Sequence, residues 1–276
     1  MYGLIDGDIL VYRIGYSSED VPERLAGFRL REYFNEILES LLLSDYTTHI
    51  TSNDKSNYRF SIDSSYKANR TQPKPKHYEY LRNCLIDYSN YKTKISVGLE
   101  ADDSIGIESQ QFKKVSDYCI ITVDKDLNQI PGWHYNFVKK RKFYINKLNG
   151  LRFFYKQLLM GDNADNIKGI LGIGPAFADQ LIDSCDAETD MYKVVYQIYK
   201  EVDSVDHIIP RGQLLKIQTK PNEMWLPPEI SSEELNAPAE IITKVNWKKS
   251  FERFSKIKMK NSTTKQSECT LNTPQS

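Results

Sequence analysis

The sequence predicts an α/β fold, a mostly parallel central sheet flanked by helices, with a helical region in its C-terminal half. Three observations carry that expectation. Short apolar runs rich in β-branched and aromatic residues recur through the first half, each leading to an acid. Amphipathic helical patterns separate these runs. After about Lys156 the runs give way to helical periodicity, interrupted by a glycine-rich turn.

Taken in order, Tyr2 to Ile5 reads as a strand ending at Asp6. Pro22 to Leu43 carries Leu25, Phe28, Leu30, Ile37, Leu38, Leu41 and Leu42 roughly on one helical face. Tyr46 to Thr51 leads to Asp54, and Lys94 to Val97 leads to Glu100. A helix follows over Ala101 to Lys114, and Tyr118 to Val123 leads to Asp124. In parallel sheets the functional crevice lies outside the carboxyl ends of the strands, so these four acidic positions are expected to converge on one edge. Leu151 to Met160, Pro175 to Cys185 and Met191 to Val202 read as helices. Leu214 to Pro228 turns at Pro221-Asn222 and reads as a small hairpin or a docked loop. Ser262 to Ser276 is polar and reads as disordered. The expected organisation is a domain over 1–156 with an inserted segment at about 55–86, a helical region over 157–261, and a tail over 262–276.

Composition narrows the classes. With 276 residues and 40% hydrophobic content the chain has enough apolar material for a core. No apolar run reaches the eighteen or more residues of a membrane span, and Asp6 and Asp8 stand where a signal peptide would be basic, so a cytoplasmic protein with no membrane partner is expected. Cys84, Cys119, Cys185 and Cys269 form no Cys-x-x-Cys pair, which excludes a zinc knuckle, and Cys119 reads as a buried strand residue. The four histidines, His49, His77, His134 and His207, are scattered and unsuited to a shared site. The 37 basic residues balance 37 acidic ones, but the bases cluster. His134 to Gly161 holds seven Lys or Arg and no acid, and Lys55 to Arg82 holds seven against Asp63 and Glu79. Basic runs flanking an acidic centre suit a polyanion held against bound metal.

The acids fall in motifs. Ile5-Asp6-Gly7-Asp8 and Val123-Asp124-Lys125-Asp126 end strands, and Gly98-Leu99-Glu100-Ala101-Asp102-Asp103 opens a helix. Alone, each reads as a turn or a helix cap. Asp162 and Asp165, in Gly161-Asp162-Asn163-Ala164-Asp165-Asn166-Ile167, are spaced to face the same way on a helical turn. Together so many converging carboxylates repel unless divalent cations neutralise them. All-oxygen ligands indicate Mg²⁺ or Mn²⁺, and two such ions about 4 Å apart suit in-line attack at phosphorus. Next to the last pair, Gly172 and Gly174 let backbone NH groups approach a phosphate, and Pro175 sits at the first helical position. Such a turn grips nucleic-acid backbone without reading sequence.

These blocks resemble the 5′-nuclease superfamily: the 5′-nuclease domain of bacterial DNA polymerase I, the flap endonucleases, and especially the small 5′-to-3′ exonucleases of T-odd podophages. The resemblance spans about residues 2 to 185. It rests on Asp6 to Arg13, Asp54 with Tyr58-Arg59, Tyr66-Lys67-Ala68-Asn69-Arg70, Gly98 to Asp103, Asp124 to Leu127, and Gly161 to Gly174 in that order. It implies a PIN-like sheet, and a first metal among Asp6, Asp54, Glu100, Asp102 and Asp103. It implies a second metal among Asp124, Asp126, Asp162 and Asp165, without dividing the acids strictly between the two. It further implies that Lys67 and Arg70 reach the scissile phosphate from a helical arch, and that Tyr66 stacks on the terminal base. Gly172, Ile173 and Gly174 would belong to a helix-three-turn-helix element that holds duplex DNA and binds K⁺ through backbone carbonyls. The arch is short, and Asp54 lies closer to its following arginine than in the polymerase domain; the short arch favours an exonuclease. The expected activity is Mg²⁺-dependent removal of nucleotides from 5′ ends of duplex DNA, with RNA in RNA:DNA hybrids as a further substrate, in phage replication or recombination. A flap endonuclease, an RNA-directed nuclease, a noncatalytic DNA-binding protein and an aspartyl-phosphate phosphatase are the competing readings.

Overall fold

A computed structural model describes residues 1–54, 56–239 and 241–242. The expected disordered tail at 262–276 and the basic segment from Trp247 to Lys265 lie outside these residues.

Four parallel strands form where the apolar runs predict them: β1 (Tyr2–Asp6), β2 (Asp45–Thr51), β3 (Thr93–Ser96) and β4 (Tyr118–Ile121). All four residues of β4 are buried, the pattern of a parallel strand covered on both faces. Side chains alternate between the two sides: Ile5, Cys119 and Ile121 pack into one apolar cluster, Leu4, Tyr118 and Ile120 into another. The first cluster is closed by α1 (Gly7–Tyr16), α2 (Glu23–Leu41) and α4 (Tyr78–Asp87). Ala26, Leu30, Phe34 and Ile37 of α2 recur every three or four residues and supply its buried stripe. The second is closed by α5 (Ala101–Ser109) and Ile217. Helix α5 ends five residues before the expected Lys114.

Two further strands were not anticipated. β5 (Gly132–Asn136) runs parallel to β4, and β6 (Arg141–Ile145) returns antiparallel to it. The basic run Lys139-Lys140-Arg141-Lys142 turns this hairpin, with Lys140 at φ 48°. Its charge masked the strand alternation.

The strand order is β3-β2-β1-β4-β5-β6. From β1 the chain builds outward to one side, then crosses back and builds to the other from β4. The β1/β4 junction is therefore the switch point where successive loops diverge, leaving a crevice beyond their carboxyl ends.

The helical region starts at α6 (Lys147–Met160) and continues through α7 (Pro175–Ile182), α8 (Glu188–Val202) and α9 (Ile208–Leu215), with a short α10 (Ser232–Asn236). These helices share a core that includes Tyr66 from the inserted segment. Between α6 and α7 the chain is not helical. Gly161–Asp162 (β7) and Ile167–Lys168 (β8) pair antiparallel, so Asp162 and Asp165 belong to a tight hairpin and not to the expected helical turn. Gly161 at φ 71° and the close backbone contact at Gly169 permit that hairpin, which a helical spacing argument cannot detect. Leu214 to Pro228 is the docked loop: Trp225 packs on Phe154 and Tyr155, and the Gln218 carbonyl abuts Gly106 of α5.

Candidate active site

A cavity of about 260 Å³ opens at the switch point, lined by Asp6, Asp8, Glu100, Asp102 and Asp124 together with Lys67 and Arg70. Asp6 ends β1 and caps α1, accepting from the Ile9 amide at 3.1 Å. The Thr122 hydroxyl, just past β4, donates to its other oxygen at 2.8 Å. The same hydroxyl accepts from the Asp124 amide at 2.9 Å, so one threonine fixes the two strand ends against each other. Burial, with Asp8 and Asp124 nearby, pushes the Asp6 carboxyl up to about 7. Burial and then the charges of Asp124, Asp6 and Glu100 raise Asp102 as well.

Asp8 is the member that sequence reasoning missed. In the first turn of α1, it accepts from the Thr51 amide at the end of β2 at 3.1 Å, with Arg82 of α4 at 3.8 Å. The signal was present in Asp6-Gly7-Asp8, since a carboxylate two positions into a helix can face the same crevice as its cap.

Glu100 is crowded by cations and donors. Lys67 Nζ lies 2.5 Å from its Oε1, Asn57 donates to the same atom at 2.9 Å, and Arg59 stands 3.9 Å from Oε2. Lys67 and Arg59 hold it below the ordinary glutamate range against the cost of burial.

Asp126 and Asp162 adjoin this pocket. The Asp126 amide donates to Asp124 Oδ1 at 2.9 Å, and Gln157 of α6 donates to the Asp126 carboxylate at 2.8 Å. Burial and the charges of Asp124 and Asp162 push Asp126 up to about 7. Asp162 receives the Ala164 amide at 2.7 Å and Lys125 at 3.1 Å.

Asp165 belongs to a latch. Arg70 pairs with its Oδ1, and the Tyr66 hydroxyl lies between its Oδ2 at 2.9 Å and Glu100 Oε2 at 3.2 Å. Backbone contacts extend the latch: the Lys67 amide donates to the Asp165 carbonyl at 2.9 Å, and Asn166 donates to the Ser65 carbonyl at 2.8 Å. Residues 65–70 thus lie flat on the β7–β8 hairpin.

Three expected assignments are corrected by this geometry. Asp54 does not line the cavity, although Ser52 and Asn53 do; it is exposed, and its carboxylate accepts from the Ser56 amide and hydroxyl at 3.0 and 2.6 Å. That local turn holds it in solvent. Asp103 is fully buried in a bidentate pair with Arg59, at 2.6 and 2.9 Å, and also receives the Gln218 amide. Its lone pairs are committed to joining α5, α3 (Arg59–Ile62) and the docked loop. Tyr66 is 3% exposed, so it is a core residue and not an open stacking platform. In the glycine turn, Ile173 buries its side chain and donates its amide to the Ile170 carbonyl at 3.1 Å, Gly172 takes φ 88°, and a Cβ at Gly174 would meet open space, so contacts from this turn would be made by backbone.

Among the described residues no three carboxylates, imidazoles or thiols close into a ready-made cage. The acids are strung along the crevice, with Lys67 between Glu100 and Asp165 and Lys125 beside Asp162. His49 and His134 are buried and pushed down to about 4 by desolvation, so both are neutral core residues, as their scatter predicts.

Fold and crevice define the class: an α/β protein with a carboxylate-lined crevice at its switch point beside fixed cations. Residues 1–152 match the family model described as "5′-3′ exonuclease, N-terminal resolvase-like domain". The match covers more than half the chain, which therefore belongs to the 5′-3′ exonuclease family. It is 25% identical over 229 residues to a 5′-3′ exonuclease of Mycoplasmopsis pulmonis, covering 78% of this chain and 74% of that one. It is 26% identical over 220 residues to the flap endonuclease Xni of Shewanella halifaxensis, covering 73% and 82%. A T5 5′-exonuclease solved with divalent zinc ions has the same fold, with TM-score 0.53 and 19% identity over 89% of this chain and 87% of that one. No helix among the described residues is long and apolar enough to cross a membrane.

Proposed function

We propose that this 5′-nuclease is a metal-dependent 5′-to-3′ exonuclease acting on duplex DNA. The observation that supports this most is the single crevice at the β1/β4 switch point, where five carboxylates face Lys67 and Arg70. The donor set is all carboxylate oxygen, and burial first, then neighbouring acids, raises Asp6, Asp8 and Asp102; such a set fits hard divalent ions, with Mg²⁺ foremost and Mn²⁺ as substitute. Asp6, Asp8, Glu100, Asp102 and Asp124 would hold one ion, and Asp124, Asp126, Asp162 and, once Arg70 turns to phosphate, Asp165 a second. Ions held there supply a water of lowered pKa and charge neutralisation at phosphorus.

The chain's own residues provide the rest. Lys67 and Arg70 already face carboxylates, and a phosphodiester entering the crevice would exchange those partners for phosphate oxygens. Their cationic charge then stabilises the extra negative charge of the transition state. Gly172 and Gly174, ahead of α7, are suited to hold the backbone of the duplex, with K⁺ at their carbonyls as the family resemblance implies. Only fifteen residues separate α3 from α4, and 65–70 are fastened to the hairpin, which favours end-directed hydrolysis over threading of a flap. An RNA strand in an RNA:DNA hybrid is included in the proposal, because contacts to backbone phosphate do not discriminate the sugar.

The test uses 5′-end-labelled blunt duplex, 5′-flap and RNA:DNA substrates, with and without Mg²⁺. Mononucleotide products that require Mg²⁺ are expected. Asp124→Asn or Asp162→Asn should lower hydrolysis by about 10²-fold or more while duplex binding persists. Oligonucleotide products from flaps would establish the endonuclease instead, and DNA binding without any cleavage would reduce the chain to a noncatalytic binder.

A further inference from the structure

A second pocket lies toward the amino ends of the strands, away from the acidic crevice. It occupies about 490 Å³ between α2 and α4, and is lined by Arg24, Phe28 and Arg31 of α2, Tyr80 of α4, Tyr88, and Tyr91 ahead of β3. Tyr46 lines it near the start of β2, whereas Thr51 at the end of that strand lines the acidic crevice. Five residues of extended strand separate the two, roughly 16 Å. The family reading assigns this pocket no role.

Its chemistry is specific. Arg24, Phe28 and Arg31 recur at intervals of four and three, so they share one helical face. Gly27 sits among them, where a Cβ would come within 3.0 Å of the Tyr80 ring; the missing side chain lets the ring line the groove. Phe28 and Tyr88 are exposed at 47% and 61%, costly for rings with nothing to cover. Arg31 stands over the Phe28 ring at 5.4 Å. Neither Arg24 nor Arg31 makes an ion pair or hydrogen bond among the described residues, while Arg29 on the same helix is engaged with Ser17 and Ser18.

We propose that this pocket binds a nucleoside 5′-phosphate, its base against the rings of Phe28, Tyr80 and Tyr88 and its phosphate on Arg24 and Arg31. A planar ring system that carries an anion matches a pocket of aromatic rings with two unpaired guanidinium groups on one helical face. Guanidinium groups pair with phosphate in a fork, and a base stacks on any aromatic face. The ligand is either a free mononucleotide or the 5′-phosphorylated end of a single strand, which share this chemistry. The inference does not depend on the nuclease reading.

The test is calorimetric titration of the full chain, in EDTA, with deoxyadenosine monophosphate, a 5′-phosphorylated single-stranded trinucleotide, deoxyadenosine and inorganic phosphate. Saturable binding of the monophosphate is expected, weaker by about tenfold or more in Arg24→Ala/Arg31→Ala and unchanged in Asp124→Asn. Both arginines are exposed, so the double variant should keep the wild-type melting temperature, and Phe28→Ala provides an independent loss of affinity. Comparable affinity for the monophosphate and the trinucleotide identifies a strand end, and preference for the monophosphate a free nucleotide. Binding that survives the double arginine variant, or phosphate binding as tight as nucleotide binding, overturns the proposal. So does the absence of saturable binding by any of the four.

Discussion

The acids at the strand ends and those on the β7–β8 hairpin are positioned by opposite means. Asp6, Asp8 and Asp124 are fixed by backbone amides and Thr122 at the ends of regular elements, and burial and mutual repulsion raise the pKa of Asp6 and Asp8. Asp165 is surrounded by partners brought from elsewhere in the chain, namely Arg70, Lys67 and the Tyr66 hydroxyl. The first group is electrostatically strained on a rigid frame; the second is satisfied but depends on a loop lying flat. A nuclease needs both, because repelling acids suit a cation while exchangeable ion pairs suit an arriving phosphate.

The comparison breaks first at the residue behind Glu100, which ties the crevice to the docked loop. Arg59 is 3% exposed, holds Asp103, and donates to the Leu214 and Lys216 carbonyls at 2.8 and 3.1 Å. Arg59→Ala leaves Asp103 buried and unpaired, and should lower unfolding free energy by about 3–5 kcal/mol in urea titrations. A loss below 1 kcal/mol would show that Trp225, Ile217 and the Gln129 bonds hold the docked loop without Arg59.

Neutralising single acids sharpens the contrast through opposite signs. In EDTA, Asp102→Asn removes a charge that is costly through burial first and repulsion second, and should raise stability by about 1 kcal/mol, since each unit of displaced pKa is worth about 1.4 kcal/mol. Asp165→Asn strips Arg70 and Lys67 of a partner and should lower stability by about 1–2 kcal/mol. Both are read from thermal melts; shifts of the same sign would collapse the distinction.

The strained group also sets a pH dependence. The Asp6 carboxyl titrates near 7 in the fold against 3.8 for the free side chain. The folded state therefore binds the extra proton between those values, and this contribution to stability, full below about 4, is lost as pH rises to 7. The stability of the wild type minus that of Asp6→Asn should fall across that window in EDTA, and a flat difference would refute it. The smallest effect belongs to the latch: Tyr66→Phe deletes one shared proton and should cost about 1 kcal/mol, with weaker binding of 5′-ended duplex but unchanged metal affinity. Unchanged duplex binding would mean that the latch is only structural.

The reach of the sequence differs along the chain for a physical reason. The four parallel strands, their acidic ends and α2 were legible because burial on one face or on both leaves a local apolar pattern. The paired β5 and β6 were not, because β6 is an edge strand rich in lysine and arginine, where exposure removes that pattern. Asp162 and Asp165 were singled out as acids, yet their spacing suggested a helical turn, and only Gly161 and Gly169 in close backbone contact make a hairpin there.

By itself the sequence determined the fold class, the order of elements and which residue types gather at the sheet edge, since each follows from hydrophobic periodicity and the direction of a parallel strand. Tertiary structure alone decided that Asp8 enters the crevice, that Asp54 stays in solvent, and that Asp103 serves Arg59. Those outcomes depend on which donor reaches each carboxylate first, and the donors come from segments 2 to 115 positions away in the chain.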